Sequence, residues 1–304
     1  MLKSKVLLEK VNGIYFNFKT ERYSIAHHNE QILSKNEKYL ELTNELGQTK
    51  FLLAKAEYAG DEFEIIKLKS QAKTLEELIE KLKSTLPVIK YQYKCNICND
   101  TGIYNGERCK CFNRYLTEII LQSLEIPKTK GIPFSNVIPN PNLNKQFKIM
   151  KNYADNFPNT KINNLVLCGS VGTGKTMLAK CVFKSLENTD SIAIFLTATD
   201  LNNIFLKVHT SQIDRTLTFD ILSNCDLLII DDLGTENTFK NVTIEYLLSL
   251  LSYRIDNNKH FIITTNLTSK ELYERYNERL FSRLSDKTKT LFLPFNSEDM
   301  RRRK

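Results

Sequence analysis

Residues 169–176 read Gly-Ser-Val-Gly-Thr-Gly-Lys-Thr, a full G-x-x-x-x-G-K-T element. The chemistry of this spacing is phosphate binding. Glycines let successive backbone N–H groups turn inward on phosphate oxygens, and the helix that follows adds the positive end of its dipole. Gly169, Ser170, Val171, Gly172, Thr173 and Gly174 form the cradle, Lys175 neutralises the β- and γ-phosphates, and Thr176 offers a hydroxyl to Mg2+. An apolar run, Leu165–Cys168, precedes the element and an amphipathic stretch follows it. That is the strand–loop–helix context the element requires.

A second constellation lies 56 residues past Lys175, where Leu-Leu-Ile-Ile ends in Asp231-Asp232. An apolar strand tipped with two carboxylates suits ATP hydrolysis. Asp231 would hold the Mg2+ shell, and Asp232 would orient or deprotonate the attacking water. Glu236 is near enough in sequence to assist. A further apolar run ends in Thr264-Thr265-Asn266, a polar tip that can also position the water, although an asparagine after a strand is commonly a turn residue.

Cysteines supply the third signal. Cys95, Cys98, Cys109 and Cys111 fall within 17 residues as C-x-x-C and C-x-C. Four thiolates at this spacing can bind one tetrahedral Zn2+, with Gly102 and Gly106 in the turns; free or partly ligating thiols are the alternative. Such a metal staples a segment with little core of its own. His27 and His28 offer a substitute ligand, though adjacent histidines usually carry no such role. Cys168, Cys181 and Cys225 lie among apolar neighbours and read as core thiols. An odd total of seven with one tight cluster points to a reducing compartment.

These groups need elements to hold them. Residues 1–30 show no clear period. Tyr39, Leu42, Leu46, Leu53 and Ala56 then recur at helical spacing, with Thr49 the polar exception. Ile65, Leu68, Ala72, Leu75, Ile79, Leu82 and Leu86 form a second, cleaner seam. The two are out of phase across Gly60-Asp61, a helix stop followed by an N-cap. They predict two helices, packed as a hairpin or in a self-associating coiled coil, the second ended by Pro87. Asn113–Leu124 is helix-like. Residues 127–163, rich in Pro, Asn and Lys, read as a linker and entry to the next domain. Strand-like runs at Leu165–Cys168, Ser191–Thr197, Leu227–Asp231, Phe261–Thr265 and Thr290–Leu293 alternate with helical stretches, which predicts a parallel α/β sheet. The expected domains are 1–126, helical and zinc-binding, and 164–304, the ATPase.

Composition narrows the class. At 304 residues the chain has room for about two domains. It lacks both an apolar run long enough to span a membrane and the pattern of a secretory signal. The expected location is cytoplasmic. Lys and Arg number 43 against 35 Asp and Glu, a net charge of +8 that suits a polyanionic partner. The sign varies along the chain: residues 201–250 hold 3 basic and 7 acidic residues, and 251–304 hold 12 and 7.

Taken in order, GSVGTGKT, LLIIDDLG, Ser252-Tyr253-Arg254, IITTNL and ERLFSRL resemble the AAA+ ATPase core of DnaC- and DnaI-type loaders of the bacterial replicative helicase. The resemblance covers roughly residues 127–304. It implies an α/β P-loop core with a parallel five-stranded sheet, preceded by a helical N-terminal domain that commonly bears zinc and grips the helicase. It also implies that Asn266 reads the γ-phosphate. An arginine finger at Arg283, or at Arg279, would complete a neighbour's site in a homo-oligomer, and single-stranded DNA would be a partner along the 199–224 stretch, where Lys207, His209 and Arg215 are candidate phosphate contacts; the stretch is not strongly basic, and an ordinary helix pair is the alternative. Asp232 departs from the glutamate usual in AAA+ enzymes. Ser252 replaces an asparagine. Little chain follows the fifth strand, so no full C-terminal lid is expected, and Arg301 stands as the second sensor. The implied activity is ATP-dependent helicase loading. An IstB-like transposition helper, which generally lacks the zinc module, and a slowly hydrolysing ATP-binding switch or scaffold are the alternatives.

Overall fold

A computed structural model describes residues 4–138, 141–187, 189–239 and 241–296. The chain divides into two compact units, residues 13–104 and residues 1–12 with 105–304.

Helix α1 runs Lys5–Leu33, where the sequence shows no period. Its buried side chains, Leu7, Val11 and Tyr15, form a stripe one residue wide, too narrow to stand out among the polar positions around it. Helices α2 (Glu37–Ala59) and α3 (Glu62–Thr85) match the two expected seams and pack on each other. Gly60 ends α2 at φ 74°, and the Asp61 side chain caps α3 by accepting from the Glu64 amide. Leu68, Ala72, Leu75 and Ile79 are the buried face of α3. Thr49 is buried too; its hydroxyl donates back to Glu45 O at 2.8 Å, so the polar exception in the α2 seam is satisfied within its own helix.

Short strands β1 (Ile103–Tyr104) and β2 (Glu107–Arg108) precede α4 (Lys110–Ser123). Within the stretch expected to be a linker, residues Asn144–Asn156 form helix α5. It buries Met150, Tyr153 and Ala154, one short face masked in sequence by the Pro- and Asn-rich flanks.

The chain then alternates as expected: β3 (Asn164–Gly169), α6 (Lys175–Leu186), β4 (Ala193–Thr197), α7 (Ala198–His209), α8 (Arg215–Asn224), β5 (Leu227–Leu233), α9 (Thr243–Asp256), β6 (His260–Thr265), α10 (Ser269–Leu284) and β7 (Thr290–Phe295). The sheet order is β4-β5-β6-β3-β7, and every pairing is parallel. These strands read as unbroken apolar runs because helices cover both faces. The order places β3 between β6 and β7, with β5 next to β6. The carboxyl ends of β3, β5 and β6 therefore open on one crevice, the place where open α/β sheets bind ligands.

Arg254, on α9, is fully buried. It donates to the carbonyls of Leu222 (2.6 Å), Ser223 (3.2 Å) and Cys225 (3.0 Å) at the end of α8, and to His260 O (2.5 Å) at the start of β6. A cation at a helix C-terminus satisfies carbonyls that have no helical partner. The Ser-Tyr-Arg motif thus ties α8, α9 and β6 together, away from the crevice.

Candidate nucleotide site

The loop from Gly169 to Gly174 joins β3 to α6. Gly169 has φ 147°, and a Cβ there would lie 2.3 Å from Phe295 O, so no other residue fits between β3 and β7. Gly172 and Gly174 also have positive φ, and Gly174 is the N-cap of α6. Lys175 is buried at 4% exposure and bends back into the loop. Its ammonium donates to Gly169 O (2.7 Å), Ser170 O (2.8 Å) and Asn266 Oδ1 (2.8 Å).

Thr176, one residue on, donates its hydroxyl proton to Asp231 Oδ1 at 2.9 Å. The same oxygen accepts from Thr264 Oγ1 at 2.6 Å. Burial raises the Asp231 pKa above the ordinary carboxylate value and the neighbouring Asp232 adds to this, while the Thr264 and Thr176 hydrogen bonds act the other way.

Two consecutive strand residues normally face opposite sides of a sheet. The β5–β6 ladder avoids this with a bulge: Ile230 is opposite Ile263 and Leu233 opposite Thr265, so Asp231 and Asp232 together face Thr264 alone. Asp232 takes φ 56°, a left-handed conformation costing roughly 1–2 kcal/mol for a residue with a Cβ. Its amide, displaced from the ladder, donates to Thr264 Oγ1 at 2.8 Å. Asp231 thereby reaches Thr176 while Asp232 lines the cavity above the loop.

That cavity, about 400 Å³, is bounded by the loop from Val171 to Thr176 and by Ile132, Met177, Lys180, Asp232 and Asn266. Ile132 and Lys180 carry no motif, and the sequence does not single them out. Ile132 reaches the site because Gly131 lies flat on α6, where a Cβ would meet Lys184 Cβ at 2.7 Å; the Ile132 amide then donates to Lys180 O at 3.3 Å. A glycine-bearing loop that leads into a helix N-terminus, a buried lysine and a hydroxyl–carboxylate pair form a donor set that fits a nucleotide phosphate chain with Mg2+.

Glu236 does not face this cavity. It is buried, accepting from the Gly234 amide at 2.9 Å and from the Tyr276 hydroxyl, while Arg275 donates to its backbone carbonyl. It joins the end of β5 to α10. Helix α10 breaks at Asn277 (φ 70°), and Arg279 and Arg283 follow the break. Arg279 is exposed. Arg283 is paired with Asp256 at 2.8 Å, with both side chains about half exposed. Arg301 lies outside the described residues.

The aromatic side chains of the α7–α8 segment are spent internally. Phe205 is buried and stacks on Phe219 with centroids 6.2 Å apart, and Tyr246 packs edge-on against both. Lys207 pairs with Glu125 at 2.5 Å, and the Arg215 guanidinium lies over the Tyr246 ring.

The ligand atoms of Cys95, Cys98, Cys109 and Cys111 lie within 4.8 Å of one another. Asp100, which the sequence does not flag, braces the first turn. Its carboxylate accepts from the amides of Cys95 (2.7 Å) and Lys94 (3.0 Å) and from the Tyr91 hydroxyl (2.9 Å). The Gly102 amide donates to Cys98 Sγ at 3.4 Å. Four convergent sulfurs with an amide directed at one of them fit a tetrahedral thiolate-bound metal. Among the described residues, no helix is long and apolar enough to cross a membrane.

A solved DnaC helicase loader is 25% identical to this chain, covering 54% of it and 96% of the loader, with a TM-score of 0.48. DnaI is 19% identical, covering 59% of this chain and 92% of its own, with a TM-score of 0.46. A replication initiator DnaA solved with AMPPCP and single-stranded DNA is 18% identical over 55% of this chain, with a TM-score of 0.48, and this chain spans 50% of its length. No curated protein matches the chain. The family model of the bacterial DnaA ATPase domain matches residues 130–289, just over half of the sequence, and by that match the chain belongs to the bacterial DnaA ATPase domain family.

Proposed function

We propose that this protein is an ATPase, converting ATP and water to ADP and phosphate, that loads the replicative DNA helicase onto single-stranded DNA in replication initiation. The observation that carries the ATPase reading is the single crevice that gathers Lys175, Asp232 and Asn266, with the Thr176–Asp231 pair behind them. In this reading Gly169 to Gly174 and Lys175 hold the phosphates. Thr176 and Asp231 hold Mg2+, which when bound neutralises charge on the phosphates. Asp232 orients the attacking water, and Asn266 reads the γ-phosphate. Arg283 or Arg279 serves a neighbouring copy, and Arg301 serves as the second sensor. Residues 1–126, with zinc on Cys95, Cys98, Cys109 and Cys111, engage the helicase in the cytoplasm.

The loader assignment is supported by the five motifs in order and by the helical, cysteine-bearing segment ahead of the ATPase. Its test is a pull-down with the cognate replicative helicase, with and without ATP and single-stranded DNA, followed by a loading assay. Failure to co-purify and failure to raise helicase loading would together reject it. Asp232 favours a second reading, a slowly hydrolysing switch, since its side chain is one methylene shorter than the usual glutamate. A wild-type turnover that stays slow when both helicase and single-stranded DNA are present selects that reading.

A further inference from the structure

The bulge in β5 raises a question that the motifs do not: what holds two adjacent carboxylates on one side of the sheet. Thr264 is the one β6 residue opposite Asp231 and Asp232, and it is fully buried. Its hydroxyl is used twice. It accepts the Asp232 amide at 2.8 Å and donates to Asp231 Oδ1 at 2.6 Å. A hydroxyl has one proton and two lone pairs, so it accepts the amide through a lone pair and gives its proton to the carboxylate, which is an acceptor only. Asp231 Oδ1 then has two donors, Thr264 from β6 and Thr176 from α6. Together they anchor that oxygen between β6 and α6.

We infer that Thr264 is a positioning residue for the magnesium–nucleotide site: its hydroxyl pins the bulge that turns Asp232 into the cavity and sets the orientation in which Asp231 serves the metal. The inference rests on the ATP-site reading given above. It separates three roles within Thr264-Thr265-Asn266. Asn266 meets the Lys175 ammonium directly, Thr265 donates to Leu233 O at 2.6 Å and closes the strand end, and Thr264 acts only through the two aspartates. Valine at 264 matches threonine in shape but can neither accept from the Asp232 amide nor donate to Asp231. Serine keeps the hydroxyl.

The test is the Mg2+ dependence of binding of a fluorescent ATP analogue to the full-length chain, a readout independent of turnover. Thr264→Val is expected to raise the Mg2+ concentration for half-maximal effect at least fivefold and to leave Mg2+-free nucleotide affinity within twofold. Thr264→Ser is expected to stay within twofold of wild type in both. Should the valine variant fail to fold, Thr264→Cys, of similar volume and weak in hydrogen bonding, is judged by the same criteria. A removal variant with the wild-type Mg2+ requirement overturns the assignment. So does a serine variant as impaired as valine, since shape alone would then matter. A wild-type protein whose nucleotide affinity ignores Mg2+ instead overturns the reading of the site itself.

Discussion

Asn266 Oδ1 accepts a hydrogen bond from the Lys175 ammonium at 2.8 Å, across the mouth of the phosphate loop. Gly169 O, Ser170 O and, at 3.5 Å, Thr173 Oγ1 also surround this ammonium, which has only three protons to give. A bound triphosphate must exchange these oxygens for its own. Lys175 and Asn266 are therefore coupled through one donor, although the proposed function gives them different steps.

Mutation separates them. Lys175→Ala removes charge-assisted hydrogen bonds of about 1.5–3 kcal/mol each and is expected to weaken ATP binding by at least roughly tenfold. Asn266→Ala is expected to leave binding within a few-fold and to lower turnover by about a hundredfold, the scale for losing one preorganised polar contact to developing charge. Equilibrium binding and steady-state hydrolysis read the two effects. An unchanged affinity in Lys175→Ala removes the phosphate-loop assignment.

Asp231 predicts a pH dependence. Its folded pKa is raised, chiefly by burial, so it takes up a proton at a higher pH than an ordinary aspartate. In the proposed site Mg2+ binding needs the Asp231 carboxylate, so the Mg2+-dependent part of ATP affinity is expected above the folded pKa and lost as pH falls through it. The loss is expected to begin above the usual aspartate range. Asp231→Asn removes both the Mg2+ effect and its pH dependence. A wild-type Mg2+ effect that stays flat down to pH 4 contradicts this.

Arg283 and Arg279 are distinguishable by variants that cost little stability. The Arg283–Asp256 pair is about half exposed, and such pairs contribute less than about 1 kcal/mol. Arg283→Ala is expected to fold and to bind ATP normally. If Arg283 is the finger, stimulated turnover falls by about a thousandfold or more, whereas Arg279→Ala retains it. The reverse pattern moves the role to Arg279, and normal turnover in both variants removes it from α10.

The strands and the phosphate loop were legible because they depend on local pattern. Five apolar runs bounded by breakers became β3 to β7 with ends shifted by a residue or two, and Gly60-Asp61 became a stop and a cap. What the sequence hid is non-local. Nothing in Leu-Leu-Ile-Ile-Asp-Asp marks a bulge, because a bulge depends on the register against a strand some thirty residues away. Glu236 lies four residues past Asp232 yet points to α10, since the chain turns at Gly234. Ile132 joins the cavity only because Gly131 lets the backbone lie against α6. Helix α1, with a stripe one residue wide, carries too weak a period to detect.

The cysteine knuckle predicts metal content. Purified protein is expected to carry about one zinc per chain, as four thiolates within reach of one ion imply. Cys95→Ser is expected to lose it. Asp100→Ala keeps all four ligands but frees the Cys95 and Lys94 amides, so it is expected to give up zinc to a chelator about ten- to a hundredfold more readily. Elemental analysis and competition with a chromogenic chelator measure both. Metal-free protein with unaltered folding excludes the zinc assignment.

His260 gives a stability prediction outside the nucleotide site. Its imidazole is buried at the start of β6, within 3.1 Å of the Tyr153 hydroxyl, and the nearby Arg254 cation adds to the effect of burial. Its pKa is lowered to about 4 from an ordinary 6.5, so it folds as the neutral ring. Between those values the unfolded chain binds a proton that the folded chain refuses. Stability is therefore unaffected above pH 6.5, declines as pH falls from 6.5 toward 4, and levels off below that. The decline is at most about 3 kcal/mol. Urea denaturation at pH 7 and pH 5 reads this as a lower midpoint at pH 5. His260→Gln has no such proton to gain, so its midpoint is expected to shift less between the two pH values than that of the wild type. Equal shifts in both proteins place the pH sensitivity on other groups.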